Sequence, residues 1–243
     1  VGLKGHTIGN LIMAGLSDIT GSEANAIKAL GQLFHVKGKV IPVTFDHVGL
    51  LAEYSDGSKV KSEHLIDEPN FVGDKKIIKL SLDKPAKANP EAIKNIKEAD
   101  FILIGPGDLY TTTLANIIVS GIAKAIVNSR AKLVLINNLM TKKGQTHWMS
   151  SKDLVNELEK YCKRRPDLIL TNNALIPKSI LGIYKKDGEI ILEDDLAGED
   201  FVVVRADLVS GRIEKDSGDI LKRSLVRHDP RKLARELYKI FTK

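Results

Sequence analysis

The stretch Asp100-Phe101-Ile102-Leu103-Ile104-Gly105-Pro106-Gly107-Asp108-Leu109-Tyr110-Thr111-Thr112-Thr113 runs from four apolar residues into a glycine-framed bend and on into hydroxyl side chains. An uninterrupted apolar run this short reads as a strand buried on both faces, as in a parallel sheet. Beyond the bend, Asn116, Ile117, Ile118 and Val119 have the character of a helix. In open α/β sheets, ligands sit beyond the carboxyl ends of the strands. Gly105 and Gly107 let a backbone approach a ligand without a Cβ in the way. Thr111 and Thr112 add hydroxyls where a helix begins. A tight strand-to-helix turn would also explain these residues, but the hydroxyls favour contact with a phosphate. The bend is neither a Walker A loop, lacking its Gly-Lys-Thr ending, nor a GxGxxG fingerprint.

Outward from this stretch, Leu133-Val134-Leu135-Ile136 and Leu168-Ile169-Leu170 repeat the buried-strand character, with helical patterns between them. That alternation predicts an α/β fold with a mostly parallel sheet covered by helices. Ser22 caps a helix with Ala26, Ile27, Leu30, Leu33 and Phe34 on its apolar face. Asn89-Pro90 and Asp229-Pro230 start two more, the last with Leu233, Ala234, Leu237, Ile240 and Phe241 facing inward. Ser151 opens a helix carrying Leu154, Val155, Leu158, Tyr161 and Cys162 on one stripe, so Cys162 is read as core packing. Asp56-Gly57 and Asp187-Gly188 are hairpin signals that suggest antiparallel additions to the main sheet, and residues 39–82 read as a meander of short strands, an annex on the core. No repeat or linker divides the sequence, and residues 1–243 are read as one domain.

Composition narrows the classes. The chain has 243 residues, 43% of them apolar and 28% charged, with 37 Lys and Arg against 31 Asp and Glu and hence a net charge of +6. Such a chain can bury a large core. It has no apolar run near the roughly 18 residues of a membrane span, so no membrane is expected. Its one cysteine suits a reducing compartment, and we read a cytoplasmic protein. Aromatics amount to only 5% and do not alternate with Lys or Arg, as a single-strand stacking platform requires, so no nucleic acid is expected. Lys163-Arg164-Arg165 is read as a solvated cluster, and so is the acidic run Glu193-Asp194-Asp195.

Three further segments depart from plain strand, helix and loop. Gly5-His6-Thr7-Ile8-Gly9-Asn10 opens a helix and could seat an anion on its first amides, or merely cap it. Asn137-Asn138-Leu139-Met140-Thr141-Lys142-Lys143-Gly144-Gln145-Thr146 follows a buried strand and should open on the same sheet edge as Gly-Pro-Gly. Amides there could read a base or sugar, or the segment is an ordinary loop. Arg227-His228 precede a helix whose cap is Asp229 and would add positive charge to an anion site. No HExxH, CxxC, GxSxG or metal-spaced histidine pair occurs. No acid–base pair is evident.

Together the four segments resemble the CofD-like family, which includes 2-phospho-L-lactate transferases and YvcK-type gluconeogenesis factors. The matching stretches are Gly5–Leu16, Ile104–Ile122, Asn137–Thr146 and Arg227–Ala234, and their order and spacing are similar to the YvcK branch. The resemblance implies a Rossmann-like three-layer α/β/α sandwich that takes a nucleotide diphosphate. In the transferase branch it implies moving a phospholactyl group from a guanine nucleotide to a deazaflavin with Mg²⁺. In the YvcK branch it implies binding a nucleotide sugar such as UDP-N-acetylglucosamine, with links to gluconeogenic growth and cell shape and no established reaction. The second reading is preferred, with no certain cofactor and a homo-oligomer as a further possibility. The ligand-binding residues it implies are Gly105, Pro106, Gly107, Tyr110, Thr111, Asn116, Asn138, Met140, Thr141, Gly144, Thr146, Arg227 and His228; to these the reading of the segments themselves adds His6, Gly9, Asn10, Asp108 and Thr112, and no catalytic residue is implied. Asp108 stands where the family usually has Ser, and Ala115 where it has Pro. The family's initial strand, Gly-Gly-Gly-Thr-Gly loop and Asp-Asp segment do not precede residue 1, so the sequence reads as a fragment.

Overall fold

Each apolar run named above becomes a strand, because unbroken β-branched and leucine residues fit a sheet covered on two sides. The computed structural model of the protein describes residues 7–69, 75–186, 188–197, 200–211 and 225–242. Strands β4 (Phe101–Ile104), β5 (Lys132–Ile136), β6 (Leu168–Asn172) and β7 (Val202–Ala206) form a parallel sheet in the order β4-β5-β6-β7. Register pairs Ile104 with Leu135, Ile136 with Leu170, and Leu170 with Val204.

Side-chain alternation divides the sheet's two faces. Ile102, Ile104, Leu133, Leu135, Ile169 and Val203 join one core with helices α6 (Ile122–Val127) and α7 (Ser151–Cys162). Phe101, Leu168, Leu170, Val204 and Ala206 face the other way, onto Leu233, Leu237 and Ile240 of α9 (Pro230–Phe241). The outcome is three layers, helix on sheet on helix. Three turn-outs differ from the sequence reading. Leu103 is 42% exposed, since β4 is an edge of the described sheet. Ala234 and Phe241 are exposed as well, although the Phe241 ring lies 4.4 Å from that of Phe101.

The antiparallel strands β1 (Leu50–Tyr54), β2 (Lys59–Lys61) and β3 (Ile77–Leu82) form a sheet of their own in the order β2-β1-β3, with the short helix α3 (Glu63–Asp67) after β2. Asp56-Gly57 makes the expected hairpin, with Gly57 at φ +82°. Leu50, Ala52, Tyr54, Ile77 and Leu80 belong to the same core cluster as α7, and the Leu80 amide donates to Tyr161 Oη at 2.7 Å. The second hairpin signal is overturned. Residues Lys178–Lys186 form helix α8, and Gly188, at φ +77°, donates to the Lys185 carbonyl just beyond its end. A glycine with positive φ serves a helix end as readily as a hairpin; Asp187 lies outside the described residues.

Caps follow the sequence. Ser22 accepts from the Asn25 amide at the start of α2 (Glu23–Leu33), Asn89 caps α4 (Pro90–Glu98), and Asp229 accepts from Arg231 and Lys232. Ser150 and Asp153 form a reciprocal capping box on α7. Cys162 is fully buried there, and burial pushes its thiol up to about 11. Helix α1 (Ile8–Thr20) packs on α2 and buries none of its residues; of the expected apolar face of α2, Leu33 and Phe34 stay exposed.

The basic run Lys163-Arg164-Arg165 is not merely solvated. Arg164 donates to the carbonyls of Ile126, Ser129 and Ala131 at 3.2, 3.1 and 2.7 Å, and to Asp167 Oδ2 at 2.7 Å. It ties the end of α6 to the turn that feeds β5. In the acidic run, Asp194 receives both Nε and Nη2 of Arg205, at 2.6 and 2.9 Å.

Candidate functional site

Beyond β4 the chain turns at Gly105, whose φ of +79° and tight placement both demand glycine: an added Cβ would lie 2.8 Å from the Ile136 carbonyl oxygen. Gly105 and exposed Pro106 are joined by a cis peptide bond. Gly107 is then clamped by Asn138 of the next strand's loop. Its amide donates to Asn138 Oδ1 at 3.4 Å, and its carbonyl accepts from Asn138 Nδ2 at 3.0 Å. The Asp108 carbonyl accepts from both the Thr112 and Thr113 amides, which opens a π-helical turn over Leu109–Leu114 before the single turn α5 (Ala115–Ile117).

The side chains of this segment divide. Tyr110 is fully buried, with its hydroxyl 3.1 Å from Glu157 Oε1; burial, reinforced by that carboxylate, holds the phenol protonated. Thr111 Oγ1 points inward to Asp67 Oδ1 at 3.2 Å. Thr112 and Asn116 lie on the surface, with Asn116 Nδ2 donating to the Thr112 carbonyl at 2.6 Å.

The loop after β5 is largely internal. Asn137 is 2% exposed and donates through Nδ2 to Ser151 Oγ (2.7 Å) and Thr171 Oγ1 (3.4 Å), while its Oδ1 has no partner. Thr141 pairs with Ile190 through backbone and side chain, and Met140 bridges to Ile191. Thr146 Oγ1 accepts from the Lys142 amide at 2.8 Å. Gly144, at φ +76°, sits so close to Pro69 that an added Cβ would fall 2.2 Å from its ring.

Three groups that the sequence reading passed over or assigned elsewhere meet beside Asp108. Lys142 Nζ lies 2.6 Å from Asp67 Oδ1 and 2.8 Å from Asp108 Oδ2. Gln145, fully buried, donates to Asp67 Oδ1 at 3.1 Å and accepts from the Tyr110 amide at 3.4 Å. Burial pulls the Lys142 ammonium down, but the two carboxylates outweigh it and hold it above its ordinary value. Burial pushes Asp67 up, yet Lys142 and Thr111 carry it below the usual carboxylate range. For Asp108 burial wins over the pull of Lys142, and its carboxyl stands above that range. Lys142 was visible within its motif; Asp67, remote in sequence, gave no local signal.

Arg227 and His228 reach the same sheet edge from the far side. The Arg227 carbonyl accepts from Ser210, and His228 bridges to Val209 just past β7. Burial lowers the His228 imidazole below its ordinary value, opposed in part by a hydrogen bond with the Asn137 backbone, so the ring is neutral at pH 7. Its Nε2 is buried without a partner. Thus Gly107, Asn138, Asn137 and His228 form one connected group at the carboxyl ends of β4 and β5. A crevice of about 20 Å³ between Gly105, Gly107, Asn137 and Asn138 has room for about one water. A larger hollow of about 240 Å³ opens past β6 and β7, between Leu175, Ile180, Val209, Ser210 and Lys232. Gly9 and Asn10 are exposed on α1, where the Asn10 amide donates to Thr7 Oγ1 in the cap, and His6 lies outside the described residues.

Comparison with known proteins places this arrangement. The family described as 2-phospho-L-lactate transferase CofD matches residues 1–209. The chain belongs to the CofD family. Among the relatives of this CofD-family protein, one from Thermotoga maritima, provisionally named a gluconeogenesis factor, is 37% identical over 232 residues, covering 95% of this chain and 71% of that protein. The gluconeogenesis factor of Listeria monocytogenes is 35% identical over 219 residues, covering 84% of this chain and 67% of that one. A solved UPF0052 family member from Bacillus halodurans superposes with a TM-score of 0.86 at 30% identity, over 98% of this chain and 73% of that chain. The three-layer α/β reading agrees with that neighbour.

The transferase branch implies Mg²⁺. Asp67 and Asp108 lie beside the Gly-Pro-Gly turn, and Lys142 engages both. Mg²⁺ held by this pair would have to compete with the Lys142 ammonium for both carboxylates.

Proposed function

We propose that this CofD-family protein is a binding protein of the gluconeogenesis factor type, taking a nucleotide sugar such as UDP-N-acetylglucosamine and acting in regulation of carbon metabolism and cell shape. The observation that carries the reading is the pair of buried polar atoms without partners, Asn137 Oδ1 and His228 Nε2, in the group cross-linked to Gly107. Buried polar atoms are almost always satisfied, and exceptions gather where a ligand completes them. The diphosphate fits against the glycine turn, where backbone can approach closely, and the 240 Å³ hollow past β6 and β7 is suited to a ring. A cytoplasmic location agrees with this role, as does the fact that no described helix is long and apolar enough to cross a membrane.

Titration calorimetry of the full chain with UDP-N-acetylglucosamine, GDP and NAD, each with and without Mg²⁺, tests the proposal. Binding of the UDP-sugar that is indifferent to Mg²⁺ is the expected result. Mg²⁺-dependent GDP binding would favour a phospholactyl transferase instead. His228→Phe, which keeps an aromatic ring but deletes both ring nitrogens and with them the bond with the Asn137 backbone, should weaken UDP-sugar binding about tenfold, the loss of the hydrogen bond from the ligand to Nε2 being worth ~1.4 kcal/mol. Unchanged affinity would remove His228 from the site.

A further inference from the structure

The charge inventory beside the glycine turn is unequal. One ammonium, Lys142, serves two carboxylates, so the cluster carries a net negative charge. The two acids are not equivalent. Asp67 Oδ1 gathers Lys142, Gln145 and Thr111 at 2.6, 3.1 and 3.2 Å, enough donors to neutralise and hold it. Asp108 receives the Lys142 bond at 2.8 Å and otherwise faces the Asp67 carboxyl, and its side chain is 36% exposed. Once Asp108 ionises, which burial and the Asp67 carboxylate oppose, the unbalanced charge sits on it. Asp108 is the residue directly after Gly107; the Asn138 clamp holds the Gly107 backbone against the β5 loop, and Lys142 holds the Asp108 side chain to it.

A carboxylate so placed repels a phosphate in proportion to that phosphate's charge. In a nucleotide sugar both phosphates are diesters and carry one charge each. In a nucleoside diphosphate the terminal phosphate is a monoester, whose second proton leaves near pH 6, so it carries close to two charges above neutrality. Resting on the nucleotide-sugar reading above, we propose that Asp108 is a specificity-determining residue, which makes the site prefer the diphosphodiester of a nucleotide sugar to the free nucleoside diphosphate. The preference works by repulsion of the wrong ligand rather than by an added contact to the right one. It would keep the protein responsive to the intact sugar conjugate against a background of its cleaved nucleotide.

The test is a ratio of affinities. Dissociation constants for UDP and UDP-N-acetylglucosamine are measured at pH 8 on the full chain, on Asp108→Asn and on Asp108→Ser, with a thermal melt of each to verify folding. Asp108→Asn, isosteric with the native residue, should raise the affinity for UDP relative to that for the UDP-sugar about tenfold; Asp108→Ser should do the same. If Asp108 served only to anchor Lys142, both ligands would weaken together and the ratio would stay put. That result overturns the proposal alone. Failure of the native chain and both variants to bind either ligand would overturn the nucleotide-sugar reading, and this proposal with it.

Discussion

Gly105→Ala should cost this protein about 3–4 kcal/mol of stability, a large loss for the addition of a single methyl group. Two penalties add. An L-residue at φ +79° pays about 1–2 kcal/mol for the left-handed backbone. The new methyl would also lie 2.8 Å from the Ile136 carbonyl oxygen, inside the contact distance that real Cβ atoms keep. That oxygen cannot step aside cheaply, because Ile136 is paired with Leu170 of β6 and the next amide, Asn137, donates to the Leu170 carbonyl at 2.9 Å. Clashes with fixed backbone belong to the severe tail of single substitutions. Urea denaturation read by circular dichroism measures the loss; a value under about 1 kcal/mol would show that the turn can relax. Gly107→Ala offers the contrast, since its methyl would come closest to the Thr112 side chain, at 3.1 Å, which can shift, and would meet Thr113 Oγ1 at an ordinary 3.9 Å.

Arg164→Ala is expected to cost about 3 kcal/mol, although it lies in a run of three basic residues that looks like ordinary solvated surface. Its guanidinium satisfies three carbonyls, those of Ile126, Ser129 and Ala131, and a fourth bond goes to Asp167. Hydrogen bonds from a charged donor contribute about 1.5–3 kcal/mol each, but they are not additive when one side chain makes them all. Loss of the group would leave acceptors unpaired at the turn before β5. Arg164→Lys should recover less than half of the loss, because a single ammonium lacks the planar fork that spans separate carbonyls. The same denaturation series decides the matter. Equal stability of Arg164→Ala and the native chain would return this residue to the solvated surface.

These two residues show how legibility varied along the sequence. Gly105 could be singled out because a glycine directly after a buried strand has few reasons to be there. Ser22, Asn89-Pro90 and Asp229-Pro230 were readable as helix starts for a similarly local reason: a cap acts within three residues of itself. Asp187-Gly188 misled because the left-handed backbone of Gly188 ends a helix there. Leu33 and Phe34 of α2 followed the helical period yet found no cover, since periodicity shows which face is apolar and not what packs against it.

In the site, the convergence of the Gly-Pro-Gly and Asn-Asn segments was readable from the strands that precede them. The direction of individual side chains was not. Tyr110 and Thr111 turn inward to Glu157 and Asp67, and Asn138 braces Gly107. The Asp67–Lys142–Asp108 cluster joins positions as much as 75 residues apart, a distance over which hydrophobic patterning carries no information about charge pairing. Arg164 was hidden for the opposite reason: its neighbours Lys163 and Arg165 made it look typical of its surroundings.

Cys162 provides a practical handle. It is the chain's sole thiol, it is sealed on the buried face of α7 at the helix end, and at physiological pH almost none of it is thiolate. A slow alkylating reagent would therefore meet it only when the core opens, so the rate of modification is a clock for global unfolding. The same silence lets a second cysteine, introduced at any exposed position, carry a fluorophore without competition from the native one.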